Sequence, residues 1–194
     1  MGQATEGRRR ADAERSIAAI VAAATGLFAG DADASMTDVA KAAGVGRVTL
    51  YAHFSSREDL LRRVLADAIA QSMAAIAAAE PETGPPGEAF ARLVRTCWPM
   101  LSRFGRLHQA ARRALPAGEV RRLHDSPMEH VERLIERGRA DGEFRTDLPV
   151  GWLVATVYAL LHTAADDVAG GRLAAEDAGG YLESTLLSVL RPAP

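Results

Sequence analysis

The stretch Ser35-Met36-Thr37-Asp38-Val39-Ala40-Lys41-Ala42-Ala43-Gly44-Val45-Gly46-Arg47-Val48-Thr49-Leu50-Tyr51-Ala52-His53-Phe54 reads as two short helices around a tight turn. The Ser35 hydroxyl can cap the first helix, and Asp38, three residues on, lies near the positive end of its dipole. Val39, Ala40 and Ala43 give that helix a small apolar inner face. Gly44 ends it, because glycine enters the left-handed region at low cost. Val45 fills the turn. In the second helix Leu50 and Phe54 point inward, while Arg47, Thr49, Tyr51 and His53 point outward. A helix–turn–helix presenting a basic, hydroxyl- and ring-bearing helix suits the major groove of DNA.

The run Ala43-Gly44-Val45, then Arg47, then Thr49-Leu50-Tyr51-x-His53-Phe54-x-Ser56-Arg57-Glu58-x-Leu60 resembles the DNA-binding domain of the TetR (tetracycline repressor) family. The likeness covers Arg15 to Leu65. Two positions depart from the usual pattern. Gly46 replaces a common serine at the start of the recognition helix and removes a hydroxyl cap. Val48 stands where a smaller residue or proline is more usual. Both bear on the preferred DNA sequence, and neither threatens the fold. The resemblance implies DNA-contact roles for Ser35, Thr37, Arg47, Thr49, Tyr51, His53 and Arg57. It also implies a small-molecule pocket among the fourth to eighth helices, and a homodimer through the last two helices (eighth and ninth).

The chain as a whole is consistent with this. At 194 residues with 48% hydrophobic content, it can bury one large core or two small ones. Residues 1–63 hold nine Lys/Arg and eight Asp/Glu, and the remainder fourteen and seventeen, so neither part is strongly basic. DNA affinity must therefore come from where the arginines sit rather than from bulk charge. The single Cys97 excludes an intramolecular disulfide framework and fits a reducing compartment; its apolar helical surroundings read as a buried thiol. Arg8-Arg9-Arg10, the apolar run Ile17 to Ala29 and Ala32-Asp33-Ala34 imitate a secretory signal. Asp12 and Glu14 interrupt its positive region, and Ile17, Ile20, Val21, Ala24, Leu27 and Phe28 recur at helical spacing. An amphipathic helix and a cytoplasmic protein are the preferred reading, and no later apolar run reaches the ~18 residues of a membrane span.

Taken in order, residues 1–11 read as a polar tail whose arginine triplet is a solvated arm or a minor-groove contact, the latter preferred. Helices are expected over 12–29 and across the helix–turn–helix, then from a Ser56 cap to about Ala79. That long helix carries Leu60, Leu61, Val64, Leu65, Ala68, Ile69, Met73 and Ile76, a stripe too broad for the small head alone. It should therefore bridge two domains, 1–63 for DNA binding and 64–194 for effector binding and dimerisation. After a Pro/Gly-rich break at 81–87, a helix over 88–103 should kink or end early at Pro99. One or two short helices follow over 105–124, and Ser126-Pro127-Met128-Glu129 reads as a capping box with proline at the first position. The last helices are expected over about 149–169 and 174–190, with Ala164, Ala165 and Ala178 allowing close approach and Leu186 placed in a dimer interface. No strand pattern occurs, so the expectation is an all-α chain of about nine helices.

Catalysis finds little support. The histidines (His53, His108, His124, His130, His162) form no i, i+4 pair and have no cysteine cluster beside them, so no metal or cofactor is expected. Tyr158, His162 and Asp166 share one helix face, which reads as a polar pocket wall or a dimer-edge hydrogen-bond ladder rather than a relay. Trp98, Phe104, His108, Tyr158 and His162 are the candidate effector contacts. The chain thus reads as a non-enzymatic regulator with two partners, operator DNA and a mostly apolar small molecule that releases it. The alternative is a helical protein-interaction adaptor without DNA binding, which would have no use for a capped recognition helix.

Overall fold

The computed structural model describes residues 2–192, with the side chains of 2–6, 8 and 9 outside the description. Ten α-helices and no strand occur among the described residues: α1 (Gly2–Gly30), α2 (Met36–Ala42), α3 (Arg47–His53), α4 (Arg57–Ala78), α5 (Pro86–Arg103), α6 (Gly105–Ala114), α7 (Ala117–Leu123), α8 (Asp125–Ala140), α9 (Val150–Ala169) and α10 (Ala175–Leu190). The all-α expectation holds, and the tenth helix arises because 105–124 forms two helices, broken at Leu115-Pro116.

Tertiary contacts group the chain into two compact units. One comprises the residues up to Asp67 together with Arg106–Pro116; the other comprises Ala68–Gly105 together with the residues from Ala117 onward. In the first, Ile20, Ala24 and Phe28 of α1, Val39 and Ala40 of α2, Leu50 of α3 and Leu60, Leu61 and Val64 of α4 are buried. Arg10–Gly30 is long and apolar enough by composition to cross a membrane. Yet Ile20, Ala24 and Phe28 within it are fully enclosed, as in a core helix. α1 also begins about ten residues earlier than expected, since only Gly7 interrupts the helix-forming Gln, Ala, Glu and Arg residues there. The arginine-arm reading falls largely outside the described side chains; Arg10 is exposed.

The second unit is built on α5, α8, α9 and α10. Phe90, Leu93 and Val94 of α5 meet Leu134 and Ile135 of α8, Leu153 and Val157 of α9, and Leu182, Leu186 and Leu190 of α10 in one apolar cluster. Phe144 inserts edge-on to Phe90, with ring centroids 6.3 Å apart. Two arginines hold the 79–85 loop. Arg92 donates to the carbonyls of Ala79 (2.7 Å), Glu80 (2.9 Å) and Thr83 (2.8 Å). Arg137 donates to those of Glu82 (2.6 Å) and Pro81 (2.8 Å).

Three local expectations are corrected. Pro99 lies inside α5 without ending it. It sits on the exposed face, where water can solvate the carbonyl whose N–H partner proline removes. α8 starts at Asp125, with His124 at the N-cap and no side-chain cap, so Ser126-Pro127 falls within the first turn. Proline is tolerated there because first-turn N–H groups have no intrahelical partner. Finally, Ala165, Ala178 and Leu186 are buried in the unit's own core, which removes them as an intersubunit surface.

Candidate nucleic-acid interface

α2 begins with a complete capping box. The Asp38 N–H donates to Ser35 Oγ (3.2 Å), and the Ser35 N–H and hydroxyl donate to Asp38 Oδ2 (3.0 and 2.6 Å). The Ser35 hydroxyl, then its backbone N–H, hold the Asp38 carboxyl below its ordinary range. Gly44, at φ 66°, makes the turn, with its N–H donating to Lys41 O and the Val45 N–H to Ala40 O. α3 then starts at an N-cap, Gly46, that offers no side-chain hydrogen bond.

Burial sorts the faces of α3. Leu50 and, at the C-cap, Phe54 are buried; Arg47, Val48 and Thr49 are exposed; Tyr51 is 44% exposed and His53 half-buried. Ser35 and Thr37 at the start of α2 are exposed as well. The outward set therefore contains a guanidinium, hydroxyls, a phenol and an imidazole, which can donate to phosphate oxygens or base edges.

Arg57 has a different setting. Its Nε donates to Ala34 O (3.2 Å) and an Nη to Ala32 O (2.5 Å), and the guanidinium lies 5.1 Å from the Phe28 ring centroid. It joins the start of α4 to the α1–α2 loop. The expected Ser56 cap is present, accepting from the Asp59 N–H at 3.2 Å.

Of the candidate effector residues, Trp98, Phe104, Tyr158 and His162 lie in the second unit and His108 in the first. Trp98 is buried, donates to Ala175 O (3.1 Å) and packs so closely on Gly179 that a Cβ there would lie 2.9 Å from its ring. It joins α5 to α10. Phe104 is buried beside the Arg103 guanidinium (5.4 Å), and His108 is buried on α6. Tyr158 and His162 do come together, with ring centroids 4.4 Å apart. They are joined by His124, which the sequence reading left aside: its ring lies 5.3 Å from Tyr158 and 5.0 Å from His162, edge-on to both. His124 and His162, far apart in sequence, are thus neighbours in space.

Arg121 lies 4.8 Å above the Tyr158 ring. His124 Nδ1 is 2.8 Å from Val120 O, so in the neutral ring Nδ1 carries the proton. Burial lowers its pKa, against the opposing pull of the Val120 carbonyl. Elsewhere, an open cleft of about 490 Å³ is lined by charges of both signs, including Arg92, Arg95, Arg191, Glu88, Glu143 and Glu183. Arg95 pairs with Glu183 at 2.7 Å, and Glu143 accepts from the Gly87 N–H at 2.8 Å. Cys97 is buried, which pushes its thiol up to about 11 and away from nucleophilic use.

Known proteins agree with this architecture. Residues 20–64 match the profile of "Bacterial regulatory proteins, tetR family". Over 83 residues the chain is 40% identical to the HTH-type transcriptional repressor LfrR of Mycolicibacterium smegmatis, a match spanning 43% of this chain and 44% of LfrR. The crystal structure of the TetR-like regulator LfrR from Mycobacterium smegmatis in complex with proflavine aligns with a TM-score of 0.71 at 26% identity, over 91% of this chain and 97% of that one. The regulator FadR from Bacillus subtilis, solved with stearoyl-CoA, shares the fold at TM-score 0.74 and 16% identity, over 90% and 100% of the two chains. The capped helix–turn–helix thus matches the TetR-family profile over residues 20–64, and the fold is shared over nine-tenths of the chain with the TetR-like regulator LfrR.

Proposed function

We propose that this protein is a cytoplasmic, homodimeric repressor that binds operator DNA through α2 and α3 and is released by a mostly apolar small molecule. The observation that carries the reading is the outward face of α3, where Arg47, Thr49 and Tyr51 stand exposed over a fully buried Leu50. Thr37, His53 and the Ser35 end of α2 flank it; Arg57 supports it from behind. The test is duplex-DNA affinity measured over a salt series. Binding should weaken steeply with salt, and Arg47→Ala and Tyr51→Ala should each weaken specific binding by about 1–3 kcal/mol with helical content intact. A chain that folds but has no duplex affinity would leave the adaptor reading in its place.

The outward faces of α9 and α10 support a two-fold dimer. On α9, Trp152 (63% exposed), Thr156, Ala159 and Thr163 follow at helical spacing; on α10, Tyr181 (59% exposed), Ser184 and Ser188 do the same. Small side chains between two aromatic rings allow close approach of a partner's helices, and an isologous pairing would set recognition helices about one DNA turn (~34–36 Å) apart.

For the effector, the support is the Tyr158–His162–His124 cluster. Three rings side by side are of the chemistry that suits an apolar or aromatic ligand. Release follows if the ligand prefers one position of α4, whose residues belong to the first unit up to Asp67 and to the second from Ala68. DNA and ligand must then weaken each other's binding by the same factor, typically 1–3 kcal/mol of coupling. Equal ligand affinity for free and operator-bound protein would sink the switch.

A further inference from the structure

Val48 is 86% exposed, more than any other large hydrophobic residue among those described. It stands on α3 between exposed Arg47 and Thr49, with exposed Ala52 one turn further along the same face. Helix stability does not explain it: at an exposed position a β-branched side chain forms helix less readily than Ala, Arg, Lys or Glu. Gly46, two residues before it, is equally unexplained by the chain itself. Its φ of −71° and ψ of 150° suit any residue, and a Cβ there would meet nothing within 4 Å. A serine, aspartate or asparagine at this N-cap would add a hydrogen bond that α3 lacks. Two outward positions at one end of α3 thus depart from what the isolated helix favours. Together they leave bare backbone at 46 and two methyl groups at 48, facing away from the protein.

Resting on the DNA-binding reading above, we infer that Val48 is a specificity-determining residue that reads the C5-methyl group of a thymine in the major groove. The first residues of a recognition helix are those that meet base edges, and the thymine methyl is the only apolar group the four base pairs present there. Valine has no side-chain donor or acceptor. Against guanine, cytosine or adenine it would bury N7, O6 or an exocyclic amino group without a partner, which is costly. Against thymine it exchanges water for methyl–methyl contact. Selection therefore works both ways, by attraction to one base and exclusion of the others. The missing side chain at Gly46 removes the neighbour most able to hold the helix off the base edge. Arg47, Thr49 and Tyr51 remain free to engage phosphates or adjacent bases.

The experiment uses the full chain and removes single methyl groups from either side of the contact. Duplexes enriched from a randomised library by the wild-type protein serve as probes, and each thymine of one half-site is replaced in turn by deoxyuracil, which lacks only the C5 methyl. At one position the wild type should lose about 3–5-fold in affinity, the worth of one buried methyl. Val48→Ala should bind the thymine duplex more weakly and show no further loss with uracil at that position. Val48→Thr, nearly the same shape with a hydroxyl in place of one methyl, should relax the thymine preference in a repeat selection. Both substitutions are at an exposed site and should leave the far-ultraviolet circular dichroism unchanged. A wild type indifferent to uracil everywhere, or a Val48→Ala variant retaining the full uracil penalty, overturns this inference while the recovered duplex upholds DNA binding. Failure to enrich any duplex overturns the DNA-binding reading and this inference with it.

Discussion

Replacing Arg57 with methionine removes the guanidinium but keeps an unbranched stem of similar reach. In the native structure that guanidinium donates at 3.2 Å to Ala34 O and at 2.5 Å to Ala32 O, and lies over Phe28. The residue is half-buried, so each charge-assisted bond is discounted for solvent to about 0.5–1 kcal/mol. The ring contact adds roughly 0.5–1 kcal/mol. The variant should therefore be less stable by about 1.5–3 kcal/mol, a fall of roughly 6–24 °C in the thermal midpoint of the transition that reports the first unit. A second measurement separates support from contact. Below that midpoint, duplex-DNA affinity of the folded variant should keep the wild-type salt slope, because a brace neutralises no phosphate. An unchanged midpoint with a salt slope reduced by about one would refute the brace and return Arg57 to the set of phosphate ligands.

Other expectations follow from the same geometry. Gly138→Ala would place a methyl 2.1 Å from Phe144 Cδ2; denaturant titration should show a loss of about 1–3 kcal/mol from overpacking. Leu186→Ala, at a fully enclosed site, should cost about 2–5 kcal/mol, whereas Ala159→Arg on the outward face of α9 should keep the helical content and yield a monomer by light scattering. Burial sets the native His124 pKa below its ordinary 6.5, so the unfolded chain takes up that proton first. Stability should therefore be full above pH 6.5, fall as pH drops from there through the lowered native value, and fall less in His124→Gln.

The parts of the fold legible in the sequence are those fixed by neighbours a few residues away. The Ser35–Asp38 box, the Gly44 turn and the Ser56 cap are each contained within four residues, and all three are present. The start of α8 was misread although its cap signal looked strong. That boundary follows the α7–α8 junction, where His124 turns its ring toward Tyr158 and His162 and bonds to Val120 O. The same fact hid His124 from the candidate site: it neighbours residues more than thirty positions away, on a helix whose register no local pattern fixes. Apolar periodicity also told that α10 buries Leu182, Leu186 and Leu190, but not against what; α5 and α9 of the same unit cover that stripe. The acceptors of Arg57 were hidden for the same reason, since they lie more than twenty residues back in the chain.

The segment 106–116 belongs to the unit otherwise made by the first 67 residues, and its Leu107, Ala110, Ala111 and Leu115 are buried. The DNA-reading unit is consequently not a cassette that can be cut from the chain at one point. A fragment ending after Asp67 would lack those four apolar side chains and the Arg113 guanidinium, which lies 3.6 Å from Asp33. Swapping recognition heads between relatives by a single crossover within α4 would pair one parent's head with the other parent's α6. Recombinants of this fold should therefore succeed when both segments travel together, which makes a distant stretch of sequence part of the inheritance of the DNA-reading surface.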